Sequence, residues 1–185
     1  MKRIPEYFNK IVTLGQCIFL CFVVASCIDN APDREPETII LPDGYIGAFY
    51  ILFNVTDGVD ARANGVGRIY EIPSTGVLFT QSSENLGWID SGELRYFYRK
   101  ADGALEPISG RWTMSVPDNV ESRSESIVTI FGGGISVYNH PDLPCEVVFQ
   151  PFYVGTKADI LDGINPLNIE DMDLEDLKRV GCAEA

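Results

Sequence analysis

The sequence predicts a mainly-β domain, an antiparallel β-sandwich or partly open barrel with one C-terminal amphipathic helix. Three observations predict it. About eight short apolar or alternating runs between Tyr45 and Val154 are separated by Asp-Gly, Pro and Gly-Gly punctuation, the pattern of an all-β chain. Only residues 168–180 place apolar side chains at near-helical spacing. The chain has 185 residues, 45% of them apolar and 11% aromatic, a length that makes one domain and a composition that packs a core.

The elements follow in order. Tyr45–Asn54 (YIGAFYILFN) is apolar on both faces, so this strand belongs in the middle of a sheet. The turn at Asp57-Gly58 leads to a strand over Gly67–Ile72, and Pro73-Ser74-Thr75-Gly76 turns the chain into Val77–Gln81. Glu93–Lys100 (ELRYFYRK) alternates, with Leu94, Tyr96 and Tyr98 on one face, and Asp102-Gly103 makes a hairpin with Ala104–Ile108. Gly110–Val116 alternates again, with Trp112, Met114 and Val116 inward. Ser126–Phe131 and Ile135–Tyr138 flank Gly132-Gly133-Gly134, a hairpin turn or bulge. Cys145–Val154 closes the set, and Pro151 within it calls for an edge or a bulge. In the tail, Ile169, Met172, Leu174, Leu177 and Val180 form an apolar stripe, with Asn168 as N-cap and Gly181 as C′ residue. That helix packs on or beside the sheet.

Ahead of the domain, Met1–Lys10 carries Lys2, Arg3 and Lys10 against Glu6, and Ile11–Ala25 is apolar. As a helix this run reaches about 22 Å, short of the roughly 30 Å hydrocarbon core. Residues 1–26 therefore read as a signal peptide rather than a span. The run ends in Val24-Ala25-Ser26-Cys27, which resembles the lipobox of bacterial lipoproteins. The resemblance implies cleavage between Ser26 and Cys27, a diacylglycerol thioether on the Cys27 sulfur, and acylation of the new amine by a palmitate-type chain. At about 0.8 kcal/mol per buried methylene, two or three chains anchor firmly where one is marginal. The competing reading is an ordinary signal peptide in which Ala25 and Ser26 suit a general peptidase and Cys27 is a bystander. Residues 27–38 are polar and proline-bearing and form an acidic tether. Its acids either resemble the sorting signals of some envelope lipoproteins or simply solvate a linker. A single β-rich domain then occupies residues 39–185.

Leu41-Pro42-Asp43-Gly44-Tyr45-Ile46-Gly47 and the strand end Phe53-Asn54 resemble the opening of an uncharacterised family of bacterial lipoprotein domains. Tyr70-Glu71-Ile72-Pro73 with Gly76, and Phe152-Tyr153-Val154-Gly155-Thr156, are similar to its later landmarks, so the resemblance spans Ile39–Asp162. The family implies a fold and no activity, and no functional residue is carried over from it. Local chemistry accounts for the same residues: Pro42 and Gly44 make a turn that delivers Tyr45 into its strand, and Gly47 permits a close approach.

The chain carries 27 acidic against 14 basic residues, a formal charge of −13. Removing the signal peptide, whose charge is +2, leaves −15. Such a surface cannot neutralise phosphates, which argues against nucleic acid as a partner. His140, the one histidine, lies in the turn Asn139-His140-Pro141-Asp142, and no serine has a nucleophile-elbow setting. Gly132-Gly133-Gly134 lacks the Lys-Ser/Thr of a phosphate loop. Asp171, Asp173, Glu175 and Asp176 read as a solvated helical face rather than a calcium site, and Asp57, Asp60 and Asn64 are a weaker calcium suggestion. Trp88, Tyr96, Tyr98 and Trp112 read as core before they read as a sugar-binding platform, with Trp88 the one placed for exposure. Once Cys17 and Cys21 leave with the signal and Cys27 is acylated, Cys145 and Cys182 remain. They pair in an oxidising compartment or stay as two thiols.

The expectation is a lipid-anchored bacterial envelope lipoprotein, in the outer membrane where the host has one. Its domain is a non-enzymatic binding or interaction module, with no catalytic residue, no metal and no cofactor. It meets the membrane through the lipid on Cys27 and an envelope protein or glycan through the domain. The alternatives are an envelope hydrolase or carbohydrate-active module, and a structural subunit of an envelope assembly.

Overall fold

The computed structural model describes residues 34–61, 67–86, 94–108 and 126–181. The signal segment, Cys27, the tether up to residue 33, Asn64, Trp88, the strand expected at 110–116 with Trp112, and Cys182 lie outside them. The fold is mainly β and sandwich-like, with two sheets and no closed barrel among the described residues.

Among the described residues nine strands make the two sheets: β1 (Glu37–Pro42), β2 (Gly47–Leu52), β3 (Arg68–Glu71), β4 (Val77–Phe79), β5 (Leu94–Arg99), β6 (Leu105–Pro107), β7 (Thr129–Gly132), β8 (Ser136–Tyr138) and β9 (Val147–Gly155). Sheet A runs β3-β1-β5-β6; sheet B runs β4-β2-β9-β7, with β8 also on β9. The expectation of antiparallel sheets needs correction, because β1 pairs parallel with β3 and β5, and β2 pairs parallel with β4. Parallel neighbours need a crossover, usually a helix. Here the crossover is a strand of the opposite sheet: the chain climbs β1, crosses to β2, returns to climb β3 and crosses again to β4.

β1 is a strand that the sequence reading left inside the tether and the turn after it. It begins at Glu37, two residues before the expected start of the domain, and lies between β3 and β5. Its Ile39 and Leu41 are fully buried. They face Phe49 and Ile51 of β2, Phe53 just after it, and Phe152 and Val154 of β9 in the core between the sheets. The opposite face of sheet B is buried too: Tyr50, Leu52, Val147 and Phe149 pack against Ile169, Leu177 and Val180 of the tail. Burial on both sides is what the all-apolar β2 sequence required.

The tail is not one helix. A 3-10 turn, Ile169–Asp171, is capped by Asn168, whose side chain accepts from the Glu170 N–H. A single α-turn, Leu174–Leu177, is capped by Asp173, whose side chain accepts from the Glu175 N–H. Met172 and Asp173 adopt extended backbone between the two. The second N-cap, which needs a non-helical backbone, is the physical reason that the apolar stripe breaks. An earlier short helix, Lys157–Leu161, opens with a capping box of Thr156 and Asp159.

Pro151 finds its place at a bulge. β7 ends with Gly132 opposite Phe152, and β8 starts with Ser136 opposite Phe149, so Gly133–Ile135 stand against Gln150 and Pro151 alone. Gly133 N–H donates to Pro151 O at 2.7 Å, and Gln150 Nε2 donates to Gly133 O at 2.6 Å. Pro151 thus turns the side that lacks an N–H toward the interruption, where it costs β9 no ladder bond.

Candidate functional site

The β1–β2 and β3–β4 crossovers lie at one end of the sandwich, and the chain after β9 returns there. Together they enclose a cleft of about 570 Å³, lined by Gly44–Ile46, Ala48, Ser74-Thr75 and Asn165–Leu167. The chain enters the domain at the opposite end, at the start of β1. Six strand residues separate the two ends, or about 20 Å.

The walls are fixed from inside. Tyr45 N–H donates to Pro42 O at 3.1 Å, closing the turn in which Gly44 has φ +66°. The Tyr45 hydroxyl donates to Ala48 O, and the Tyr98 hydroxyl donates to Tyr45 O at 2.9 Å. The far wall hangs on Asn165, which has φ +45°. Its Nδ2 donates to Ile46 O at 2.7 Å, and its own carbonyl accepts from the Ala48 N–H at 3.1 Å. A side chain on Gly47 would meet Asn165 Cβ at 2.5 Å, so the close approach expected of this glycine is made by Asn165. The hydroxyls of Tyr153 and Tyr50 donate to Ile164 O and Leu167 O and hold the two ends of the same wall.

Tyr45 is the one titratable side chain among the lining residues, and burial raises its pKa. Burial also pushes Tyr98 up to about 12, with Asp159, Asp43 and Glu106 adding to the shift against Lys100. Lys100 itself is raised by hydrogen bonds to Asp43 and Glu106, at 2.7 and 2.9 Å. The cleft can therefore offer the Ser74 and Thr75 hydroxyls, backbone groups and the flank of a half-buried aromatic ring. Those groups suit an uncharged polar ligand held by hydrogen bonds.

The residues weighed from the sequence are placed elsewhere. His140 sits in its turn, accepting the Asp142 N–H on Nδ1 at 3.1 Å, beside the Tyr138 ring. Of the tail acids, Asp173 is a cap, Glu175 pairs with Lys178 at 2.8 Å and Asp176 pairs with Arg179 at 3.2 Å. Asp57 also pairs with Arg179, at 3.0 Å, which holds its carboxyl below the usual range. No group of three His, Cys, Asp or Glu is placed to hold a metal among the described residues. Tyr96 is a core residue and Tyr98 a half-buried one, neither forming an exposed platform. No helix of the described residues is long and apolar enough to cross a membrane. Cys145 is disulfide-bonded, and the other four cysteines, Cys17, Cys21, Cys27 and Cys182, all lie outside the described residues.

The cleft is what sequence reasoning missed. The Pro42–Gly44 turn and the Pro73–Gly76 turn were each legible, but nothing in either one says that they share an end of the fold. The positive φ of Asn165 had no stronger signal than an Asn before a Pro.

A crystal structure of a Bacillus anthracis protein provisionally described as a lipoprotein is similar over 77% of this chain and 86% of that one, at 12% identity and a TM-score of 0.49. That likeness says nothing of activity. No curated protein matches the chain. The family of unknown function DUF6843 matches residues 33–141. The match starts just ahead of Arg34 and stops before β9 and the Asn165 wall of the cleft. It covers more than half of the sequence, and the chain belongs to this family of unknown function.

Proposed function

We propose that the chain is a lipid-anchored protein of the bacterial cell envelope whose β-domain is a non-enzymatic binding module. The anchor is the thioether on Cys27, after cleavage between Ser26 and Cys27, and the support for it is the sequence Val24-Ala25-Ser26-Cys27 behind a basic, apolar leader. The observation that carries the compartment is the disulfide at Cys145, a bond that persists in oxidising surroundings and is rare in the cytosol.

Cys182 is the partner this reading assigns to Cys145. The chain just before it is held beside β2 by the Val180–Val55 bridge and by the Gly181 N–H donating to Asn54 O at 2.6 Å. Val180, Val55 and Val147 share one buried cluster, and Cys145 lies two residues ahead of Val147.

The cleft is the proposed ligand site. It stands at the end of the sandwich away from the start of β1. Its hydroxyl and backbone lining, on a chain of charge −15 once residues 1–26 are removed, favours an uncharged polar ligand of the glycan class over an anion.

Thiol trapping tests the compartment. Intact cells are alkylated, fractionated, reduced and alkylated again with a heavier reagent. Cys145 is expected to take the second label and to travel with the membrane fraction. First-label Cys145 in the soluble cytosolic fraction would overturn the reading.

A further inference from the structure

Elsewhere among the described residues the buried polar side chains find partners. Thr80 Oγ1 donates to Val59 O, and Asn85 exchanges two hydrogen bonds with the backbone of Glu35. At the chain-entry end of sheet A the matching stops. Arg34 Nε, Glu37 Oε1 and the hydroxyls of Tyr70 and Tyr96 are all buried without a hydrogen-bond partner.

These four atoms converge for a reason of register. Ile39 is paired with Tyr70 on one side and Tyr96 on the other, and Glu37 lies two residues earlier on the same inward face. The Glu37 side chain is 0% exposed, Tyr70 is 1% exposed and Tyr96 8%. Burial raises both phenols most, the Glu37 charge adds to the rise at each, and the Arg34 charge opposes it at both. Arg34 meets Glu37 end-on, through one Nη2–Oε2 contact of 2.5 Å, which leaves Nε and Oε1 free. A two-bond fork would have used both. Arg68 approaches the Tyr70 hydroxyl and opposes the rise in its pKa, while the well-formed hydrogen bonds of its guanidinium go to Ser83 O and Glu35.

The chemistry of an occupant follows. It must donate to Glu37 Oε1 and accept from Arg34 Nε, while the two hydroxyls adapt to either role. The Arg34–Glu37 pair is neutral, so neither an anion nor a cation gains by entering. Burial this complete admits only a very small guest. We propose that this end of sheet A is a binding site for internal water, which bridges Arg34, Glu37, Tyr70 and Tyr96. The first residues of the domain are thereby fastened to its core.

The sign of a stability change tests it. A buried hydroxyl bonded to water loses that bond when it becomes Phe, whereas removing an unpaired hydroxyl relieves the protein. Tyr96→Phe and Tyr70→Phe in the full chain are each expected to lower Tm by about 2–4 °C. A rise in Tm for both would overturn the proposal. A crystal structure of the unsubstituted chain gives a second answer, independent of whether the variants fold. Ordered water within hydrogen-bond distance of Glu37 Oε1 and Arg34 Nε is expected. A dry site, with Arg34 and Glu37 closed into a two-bond pair, would equally overturn it.

Discussion

Phe49 and Phe152 stand directly opposite each other across the β2–β9 ladder, their rings 4.8 Å apart and 8° from parallel. Tyr96 reaches across from sheet A and meets the Phe152 ring edge-on at 6.3 Å. Phe152 thus ties the two central strands of sheet B to each other and to the opposing sheet.

Removing it leaves a void that neither sheet can fill. Phe152→Ala is expected to cost about 3–5 kcal/mol, the range for a large aromatic lost from a packed core. Phe152→Leu should cost less than half of that. Urea denaturation of the three proteins, with m unchanged, measures the difference.

The bulge makes a prediction about glycine. Gly132 has φ +86°, and a Cβ there would lie 2.6 Å from Pro151 O. Gly103 has φ +87° and open space around it. Both positions lose about 1–2 kcal/mol to the left-handed backbone when changed to Ala. Only Gly132→Ala adds a clash with a central strand. It should be the more destabilising of the two by at least about 1 kcal/mol. Equal effects in paired denaturation curves would contradict the bulge geometry.

Alkaline pH should weaken the fold. Burial pushes Tyr70 and Tyr98 up to about 12. Above about pH 10 the unfolded chain releases tyrosine protons that the folded chain retains, so stability falls from there to about pH 12. Tyr70 is the better buried, and its share of that loss is on the order of 2 kcal/mol. Tyr70→Phe should flatten the decline of stability between pH 10 and 12, read by urea denaturation at a series of pH values.

Reduction should cost stability in the way loop closure predicts. With Cys182 as partner, the bond closes a separation of 37 residues and contributes about 3–4 kcal/mol. Cys145→Ala and Cys182→Ala should each lose that amount, and the double variant no more than either. Additive losses would show that the two sulfurs are not joined.

Much of the sandwich was legible in the sequence. β2 read as central because both its faces are apolar, and the tail cluster covers the face that the other sheet does not. β9 is central too, which Pro151 concealed, since a proline inside a strand suits an edge as well as a bulge. Pro151 read as an edge or a bulge and Gly132–Gly134 as a turn or a bulge, and the structure sets them opposite each other in one bulge. β1 did not read as a strand, since Glu37 and Thr38 look like linker and Pro42–Gly44 like turn. The buried Glu37 is paired with Arg34 three residues earlier, and hydrophobic periodicity carries no signal for such a partner. The parallel pairing was hidden for a topological reason, because each crossover is itself a strand. A second capping side chain, Asp173, divides a stripe whose spacing alone suggested one helix.

The cleft depends on three loops distant in sequence, and no single segment foretells it. Its wall rests on Asn165, so Asn165→Ala should loosen the Ile46 and Ala48 contacts and abolish ligand-dependent NMR shifts at Tyr45, Ser74 and Thr75. Titration with neutral envelope oligosaccharides reads this directly. Shifts that survive in the variant would place recognition elsewhere on the domain.

Intact mass spectrometry of the protein extracted from membranes tests the anchor most directly. The account predicts a chain starting at Cys27 and carrying a diacylglycerol with a further acyl group, lost in Cys27→Ser. A mass equal to the bare polypeptide, or an acylated species that persists in Cys27→Ser, would contradict it.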